Sequence, residues 1–272
     1  RLIMKTIELE EMKRIQLDIV QALHDFCIAN DIKYSLSCGT LLGAIRHGGY
    51  IPWDDDIDVY MEREDYNRFI SLFPVLYKDK YKLASLETNK QWHIPFAKMY
   101  DNRTTLIEKV KEWVPIGINI DIFPVDRVPY NSNEWKRYNF IRGFLVYLGP
   151  CKGAVPKKEF SIGQNIRVIV GSIIMFFFTR RFHARILNWY AQRYNKLDSA
   201  ECLFENVSAV NQIRPFNRTD FSSTILHKFE DRELCVMKGF DHCLCCGFGD
   251  YMQLPPVEKQ VSHHSFKAYW KD

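Results

Sequence analysis

Ile51-Pro-Trp-Asp-Asp-Asp-Ile-Asp58 places four carboxylates within five positions, a density that calls for charge chemistry. If Asp56-Ile57-Asp58-Val59 opens a strand, the two-residue period turns Asp56 and Asp58 to one face and Ile57 and Val59 to the other. Two carboxylates this close repel each other unless a cation lies between them. Mg²⁺, or Mn²⁺ in its place, suits such a pair, because a hard cation takes oxygen ligands and leaves positions for water and substrate phosphate. Asp121 is a third candidate ligand: residues 117–123 alternate, with Ile118, Ile120 and Ile122 on one face and Asn119 and Asp121 on the other. A solvated acidic loop fits poorly with the Pro52-Trp53 lead-in and the apolar alternation. An EF-hand loop starting at Asp54 fails, since Val59 stands where glycine is needed and Asp65 where a bidentate Glu belongs. A glycosidase pair needs two separated carboxyls rather than a tight cluster.

Gly39-Thr40 stands seventeen residues before Asp56. A strand that turns through glycine into a helix presents backbone N–H groups at the positive helix end, a cradle for phosphate. Arg46 and Lys98 are the cations best suited to donor phosphates, the first as a bidentate fork and the second as a point charge. Cys235, His242, Cys243, Cys245, Cys246, His263 and His264 admit two readings, a zinc site or free thiols, and no Cys-x₂-Cys pair frames the first. Trp92-His93 and the aromatics around Tyr100 could stack a base or enclose a ligand's ammonium group, or belong to the core. No Ser-His-Asp or Cys-His order offers an activated nucleophile, so a single displacement is expected.

These groups need a frame, and 272 residues with 47% apolar and 26% charged side chains can supply one without staples. The pattern predicts helices over 7–31, 40–47 (stopped by Gly48-Gly49) and 63–72 (ended by Pro74). Strands are predicted over 33–37, 57–61, 81–86, 95–100 and 117–123. Residues 134–195 read as helical apart from a break over 149–156, and the tail from Asn211 as irregular. The result is a mixed α/β core over 1–130, a helical insertion over 131–200 and a segment over 201–272 that completes the catalytic domain.

The net charge of +4 is too small to imply a nucleic-acid partner, but it is uneven. Nine Lys or Arg between Lys152 and Lys196 face the single acid Glu159, an excess of +8 that leaves −4 for the rest. Inside that stretch, Ile166, Ile169, Val170, Ile173, Ile174, Phe177 and Phe178 follow a helix face. Two readings stand: a core helix with basic flanks, or an element lying on an anionic membrane surface. No cleavable signal sequence is read at the start, and the eight cysteines lack disulfide spacing, which together predict a reducing, cytoplasmic setting.

Gly39-Thr-Leu-Leu-Gly-Ala-Ile-Arg46, Ile51-Pro-Trp-Asp-Asp-Asp-Ile-Asp58, Asp121-Ile-Phe-Pro-Val-Asp126 and Phe248-Gly-Asp-Tyr-Met252 together resemble the LicD family. That family contains bacterial phosphocholine transferases and is related to fukutin and fukutin-related protein. The resemblance implies a nucleotidyltransferase-like mixed sheet with flanking helices, a divalent metal, a CDP-linked donor and a glycan acceptor, free or lipid-linked. By position, Gly39 and Thr40 match the family's glycine turn, Asp56 and Asp58 its metal-binding pair, Asp54 a shared acid and Asp121 the later acid before Phe-Pro. Lys98 and Asp101 resemble a Lys…Asp element beside the site. Asp250, in the Gly-Asp-Tyr stretch, and His263, near the end, match without an assigned role. Cys243-Leu-Cys-Cys246 departs from the aromatic or charged residues expected there. The implied activity moves phosphocholine from CDP-choline to a hydroxyl of a teichoic acid or lipopolysaccharide, releasing CMP. Ribitol phosphate or glycerol phosphate would be served by the same residues. A non-catalytic scaffold at the membrane follows only if the acids hold no metal.

Overall fold

The computed structural model describes residues 5–77, 80–108, 114–130, 133–208, 214–261 and 266–271. After the short strand β1 (Thr6–Ile7), the helical period of Met12, Ile15, Ile19, Leu23 and Phe26 gives α1 (Leu9–Ala29), and all five of those side chains are buried. The chain continues through β2 (Ser35–Leu36) into α2 (Cys38–His47), which ends at Gly48 in the left-handed region, φ 71°. Then follow β3 (Asp58–Glu62), α3 (Arg63–Leu76), β4 (Tyr81–Ala84), β5 (Ala97–Asp101), β6 (Thr104–Glu108) and β7 (Asn119–Val128). Three helices, α4 (Asn133–Cys151), α5 (Ile162–Phe176) and α6 (Arg180–Ala191), form the insertion. The chain closes with β8 (Cys202–Glu205), β9 (Phe216–Asn217), β10 (Thr224–Phe229), β11 (Arg232–Met237), α7 (Phe240–Phe248) and β12 (Phe266–Trp270).

A mixed sheet in the order β2-β3-β7-β5-β4 carries the molecule, extended by β8 on β7 and β9 on β8. Its central pair, β3 and β7, is parallel and its other pairs are antiparallel. The alternation read in the sequence sorts the two faces. Val59, Met61, Ile120 and Ile122 pack with the apolar stripes of α1 and α3 in the main core. Tyr60, Phe123 and Val125 look the other way, into a smaller cluster with Phe216, Phe221 and Cys246. The α/β class is therefore as the sequence implied. A second sheet, β1-β12-β6, joins the two ends of the described chain. The hairpin β10–β11 closes on β2, where Met237 N–H donates to Ser35 Oγ and Cys235 N–H to Tyr34 Oη.

Two local expectations fail for physical reasons. Pro74 does not end α3, because it falls in the last turn, where the helix forgoes only one i→i−4 bond and runs on to Leu76. The tail is not irregular but holds β9–β12 and α7. Its hairpin turns at Glu230, a non-glycine residue at φ 55°, so no Asn-Gly or Asp-Gly marks it. The helix α7 holds three cysteines and a glycine, poor helix formers by propensity.

The insertion is tied to the sheet by buried polar groups. Arg63, at the start of α3, donates from Nε and Nη2 to the two oxygens of Asp126 on β7, at 2.8 and 2.6 Å. Its Nη1 reaches Asn188 Oδ1 on α6 at 2.8 Å, and Asn195 Nδ2 donates to Asp126 Oδ1 at 2.6 Å. Stacked Tyr138 and Tyr190, 5.1 Å apart, close the same joint.

Candidate active site

The parallel register sets Asp58 opposite Asp121, and the antiparallel register on the other side of β7 sets Lys98 opposite Asp121. A row Asp58–Asp121–Lys98 thus crosses three strands on the face turned away from α1 and α3. Lys98 Nζ donates to Asp121 Oδ1 at 2.5 Å and to Asn119 Oδ1 at 3.1 Å. Asp58 is pushed well above the usual carboxylate range, first by burial and then by the charges of Asp56, Asp121 and Asp54, with Lys98 opposing. Around Asp58, then, three neighbouring carboxylates raise the cost of its ionisation and the Lys98 ammonium lowers it.

The strand proper starts at Asp58, one residue later than predicted, yet Asp121 N–H donates to Ile57 O at 2.9 Å, so the extended backbone continues upstream. Three contacts hold that stretch. Thr40 Oγ1 accepts from Asp58 N–H at 2.9 Å, which makes Thr40 a brace for the strand end. Gly39 lies so close beneath Asp54 that a Cβ there would stand 2.5 Å from Asp54 Oδ2. Gln16, buried on α1, donates to Asp55 O at 3.0 Å and Asn119 O at 3.3 Å and accepts from Tyr50 Oη at 3.1 Å. It latches the acidic loop to the start of β7. Sequence reasoning missed Gln16, whose one signal was a polar residue inside the apolar stripe of α1. It also missed Cys38, a non-glycine residue at φ 49° that enters α2 with its thiol 3.3 Å from Tyr60 Oη. Burial, with Asp58 adding to it, holds that thiol well above its ordinary range, so it stays protonated.

The other expected residues are placed as follows. Arg46 lies seven positions along α2 from Gly39, about 10 Å of helix rise. Its Nη1 donates to Tyr251 O at 2.6 Å and Gln253 O at 3.4 Å, so it anchors the Phe248–Met252 motif, and Lys98 is the cation of the row. Asp250 sits in the exposed turn of that motif. Asp101, fully buried at the far end of β5, takes Nε and Nη2 of Arg103 at 3.0 and 2.6 Å, outside the row. His263 lies outside the described residues. Trp92 is buried in the core and donates to Phe96 O at 2.9 Å, so it is no stacking platform. Beside the row, Phe96 and Phe123 rings lie 4.3 Å apart and form the apolar neighbour of Lys98 and Asp121. A cleft of about 590 Å³ lies at the opposite end of β3, around Lys33, Glu62 and Arg218, and is lined by none of Asp54, Asp56, Asp58 and Asp121.

Among the described residues, no three His, Cys, Asp or Glu side chains are grouped closely enough to hold a metal by themselves. For zinc at the cysteines this favours the free-thiol reading: His242 is engaged by Asp220 Oδ2 at 2.6 Å and lies 3.5 Å from Cys246 Sγ. Mg²⁺ completes its shell with water and substrate phosphate and can be held by one or two carboxylates, a number that the Asp56–Asp58 stretch can supply. Asp121, with one oxygen held by Lys98, offers only Oδ2 to such an ion.

Residues 31–143, which carry the parallel strand pair with its aligned carboxylates and the helix that Cys38 enters, match the profile described as LicD/FKTN/FKRP, nucleotidyltransferase domain. The chain is 31% identical over 280 residues to the lipopolysaccharide cholinephosphotransferase LicD of Haemophilus influenzae, a match covering 98% of this chain and 99% of that protein. It belongs to the LicD family. Shorter stretches match uncharacterised proteins of Rickettsia typhi, 39% identical over 71 residues, and Rickettsia prowazekii, 39% over 69. They cover 26% and 22% of this chain and 23% and 26% of those proteins.

Proposed function

We propose that the protein transfers phosphocholine from CDP-choline to a hydroxyl of a cell-surface glycan of the lipopolysaccharide or teichoic acid type, with CMP as the leaving group. The observation that carries this reading is the Asp58–Asp121–Lys98 row set beside Gly39. Asp56 and Asp58 would hold a divalent ion, Mg²⁺ or Mn²⁺. When bound, that ion neutralises the donor diphosphate and the charge that develops on it. Lys98, hydrogen-bonded to Asp121, adds a positive charge beside the donor phosphates. The acceptor oxygen forms a bond to the phosphorus that bears choline, the bond to CMP breaks, and CMP leaves with the electron pair. The acceptor proton passes to Asp121 or to Asp54, the carboxylates flanking the pair. The chain would work at the inner face of the cell membrane, where a lipid-linked acceptor is presented.

The row addresses metal and nucleotide in any CDP-alcohol, so the choice of alcohol is settled by turnover. Purified protein with Mg²⁺ and an acceptor lipopolysaccharide should release CMP from CDP-choline and leave a phosphocholine mass on the glycan. Release from CDP-ribitol or CDP-glycerol, with none from CDP-choline, would overturn the choice of alcohol. No release from any of them would overturn the transferase reading.

The close approach at Gly39 gives a second expectation. In Gly39→Ala the new Cβ would meet Asp54 Oδ2 at 2.5 Å, so the carboxylate must move aside. A displacement of about 1 Å at a reacting group costs roughly 100-fold in turnover. CMP release should fall on that scale while the thermal unfolding midpoint stays near the wild-type value. Unchanged turnover would remove Asp54 from the site.

A further inference from the structure

Of the two readings of the apolar run after Ile166, the core helix does not describe the structure: α5 buries only Gly171 and Met175. Ile162 is 82% exposed, Ile173 58%, and Phe176 and Phe177 each 76%. Phe140 on α4, 77% exposed, and Trp189 on α6, 69% exposed, extend the same kind of surface. Between α4 and α5 runs a groove of about 620 Å³ lined by Phe140, Phe144, Ile166, Val170 and Ile174, with Arg167 beside them. An apolar surface of this extent on one element marks an interaction site.

Charge says what covers it. The groove and its flanks lie in the stretch where nine cations face one acid, and Lys157, Lys158, Arg167 and Arg185 are exposed. Other cations of the stretch lean on neutral carbonyls: Lys152 Nζ on Met175 O at 2.9 Å, Arg181 on Leu86 O and Trp92 O at 2.6 and 2.7 Å. A carbonyl orients a cation without cancelling its charge. A twofold interface with a second copy would set this patch against itself, cation against cation. Alone, α5 is too short to span: it has 15 residues, about 22 Å of helix against a hydrocarbon core of about 30 Å. No single helix among the described residues is long and apolar enough to cross, and α5 and α6 meet at a bend of 100°.

We propose that the α4–α5 face is a membrane seat: α5 lies in the plane of an anionic bilayer, its isoleucines and phenylalanines among the acyl chains and the flanking lysines and arginines at the phosphates. This deepens the placement at a membrane proposed above and does not depend on which CDP-alcohol is used. The buried Arg63–Asp126 joint then holds the catalytic sheet at a fixed attitude to the lipid surface.

Co-sedimentation with phosphatidylglycerol-containing vesicles, against vesicles of phosphatidylcholine alone, tests it. The protein should pellet with the first and not the second, and the binding should weaken as salt rises. Replacing Lys157, Lys158 and Arg167 by Ala should lower the partition coefficient by about fivefold per cation. A combined Ile166→Asp, Ile173→Asp and Phe176→Asp variant changes only exposed residues and should lose vesicle binding. Its CMP release in a vesicle-free assay should stay unchanged, which separates failure of the seat from failure of the transfer reaction. Absence of binding to anionic vesicles at low salt, or wild-type binding by the triple variant, would overturn the proposal. So would a dimer in vesicle-free sedimentation that the triple variant dissolves, since the face would then belong to a second copy.

Discussion

Asp58→Asn should lower CMP release by about a thousandfold or more, because several kcal/mol of charge stabilisation in the transition state depend on that ligand. The loss should come without unfolding. Asp58 is crowded by its neighbours, with burial and then Asp56, Asp121 and Asp54 all opposing its ionisation. Its amide keeps the shape and removes that repulsion, so the unfolding midpoint without metal should equal or exceed the wild-type value. A readout independent of turnover follows. Mg²⁺ should raise the wild-type midpoint by mass action, since it binds the folded state, and should shift the variant little. Near-normal turnover of Asp58→Asn at saturating Mg²⁺ would refute the ligand assignment, as would an equal thermal shift in both proteins.

Asp126→Ala should cost about 3–5 kcal/mol of stability, the scale of leaving one partner of a buried ion pair uncompensated. Arg63 is 7% exposed and Asp126 not at all. Burial works against the charge of Arg63, and Asp126 first, with Tyr66 and Glu87 adding, turns the balance to hold that charge firmly. Without it, Arg63 Nη1 still reaches Asn188, but Asn195 loses its acceptor on β7. The α6 end of the insertion should loosen and become open to protease. Urea titration of the variant measures the loss. A companion Arg63→Met, Asp126→Leu double replacement should recover most of it, because it buries no orphan charge. A cost below about 1 kcal/mol for Asp126→Ala alone would place the pair among weak surface contacts.

The acids were legible because strand alternation is local: Ile57 and Val59 go one way, Asp56 and Asp58 the other, and residues 117–123 repeat the pattern. The register was not. Asp58 meets Asp121 across 63 positions of sequence, and no local signal states which residue of β7 faces which residue of β3. The same limit explains Arg46, which the motif places near Gly39 in sequence but two helical turns away in space, on the carbonyls of residues 251 and 253. Gln16 was hidden because its partners are backbone carbonyls far along the chain, which leave no mark on its own neighbours. The C-terminal strands were hidden by turn chemistry, since a left-handed Glu230 does what glycine usually signals.

The closing of β10–β11 on β2 bears on synthesis. A ribosome that has delivered everything through Asp121 has made each acid of the row, yet β2 still lacks Met237, whose N–H pairs with Ser35 Oγ, and Tyr34 lacks Cys235. At about 5–20 residues per second, the 116 residues between Asp121 and Met237 take roughly 6 to 23 seconds to appear. During that interval a strand edge next to Asp56 and Asp58 stands open, and the apolar helix α5 emerges before the domain can close. With the membrane seat proposed above, the nascent chain would meet a lipid surface through its insertion before its carboxylates are framed, so that targeting would precede competence.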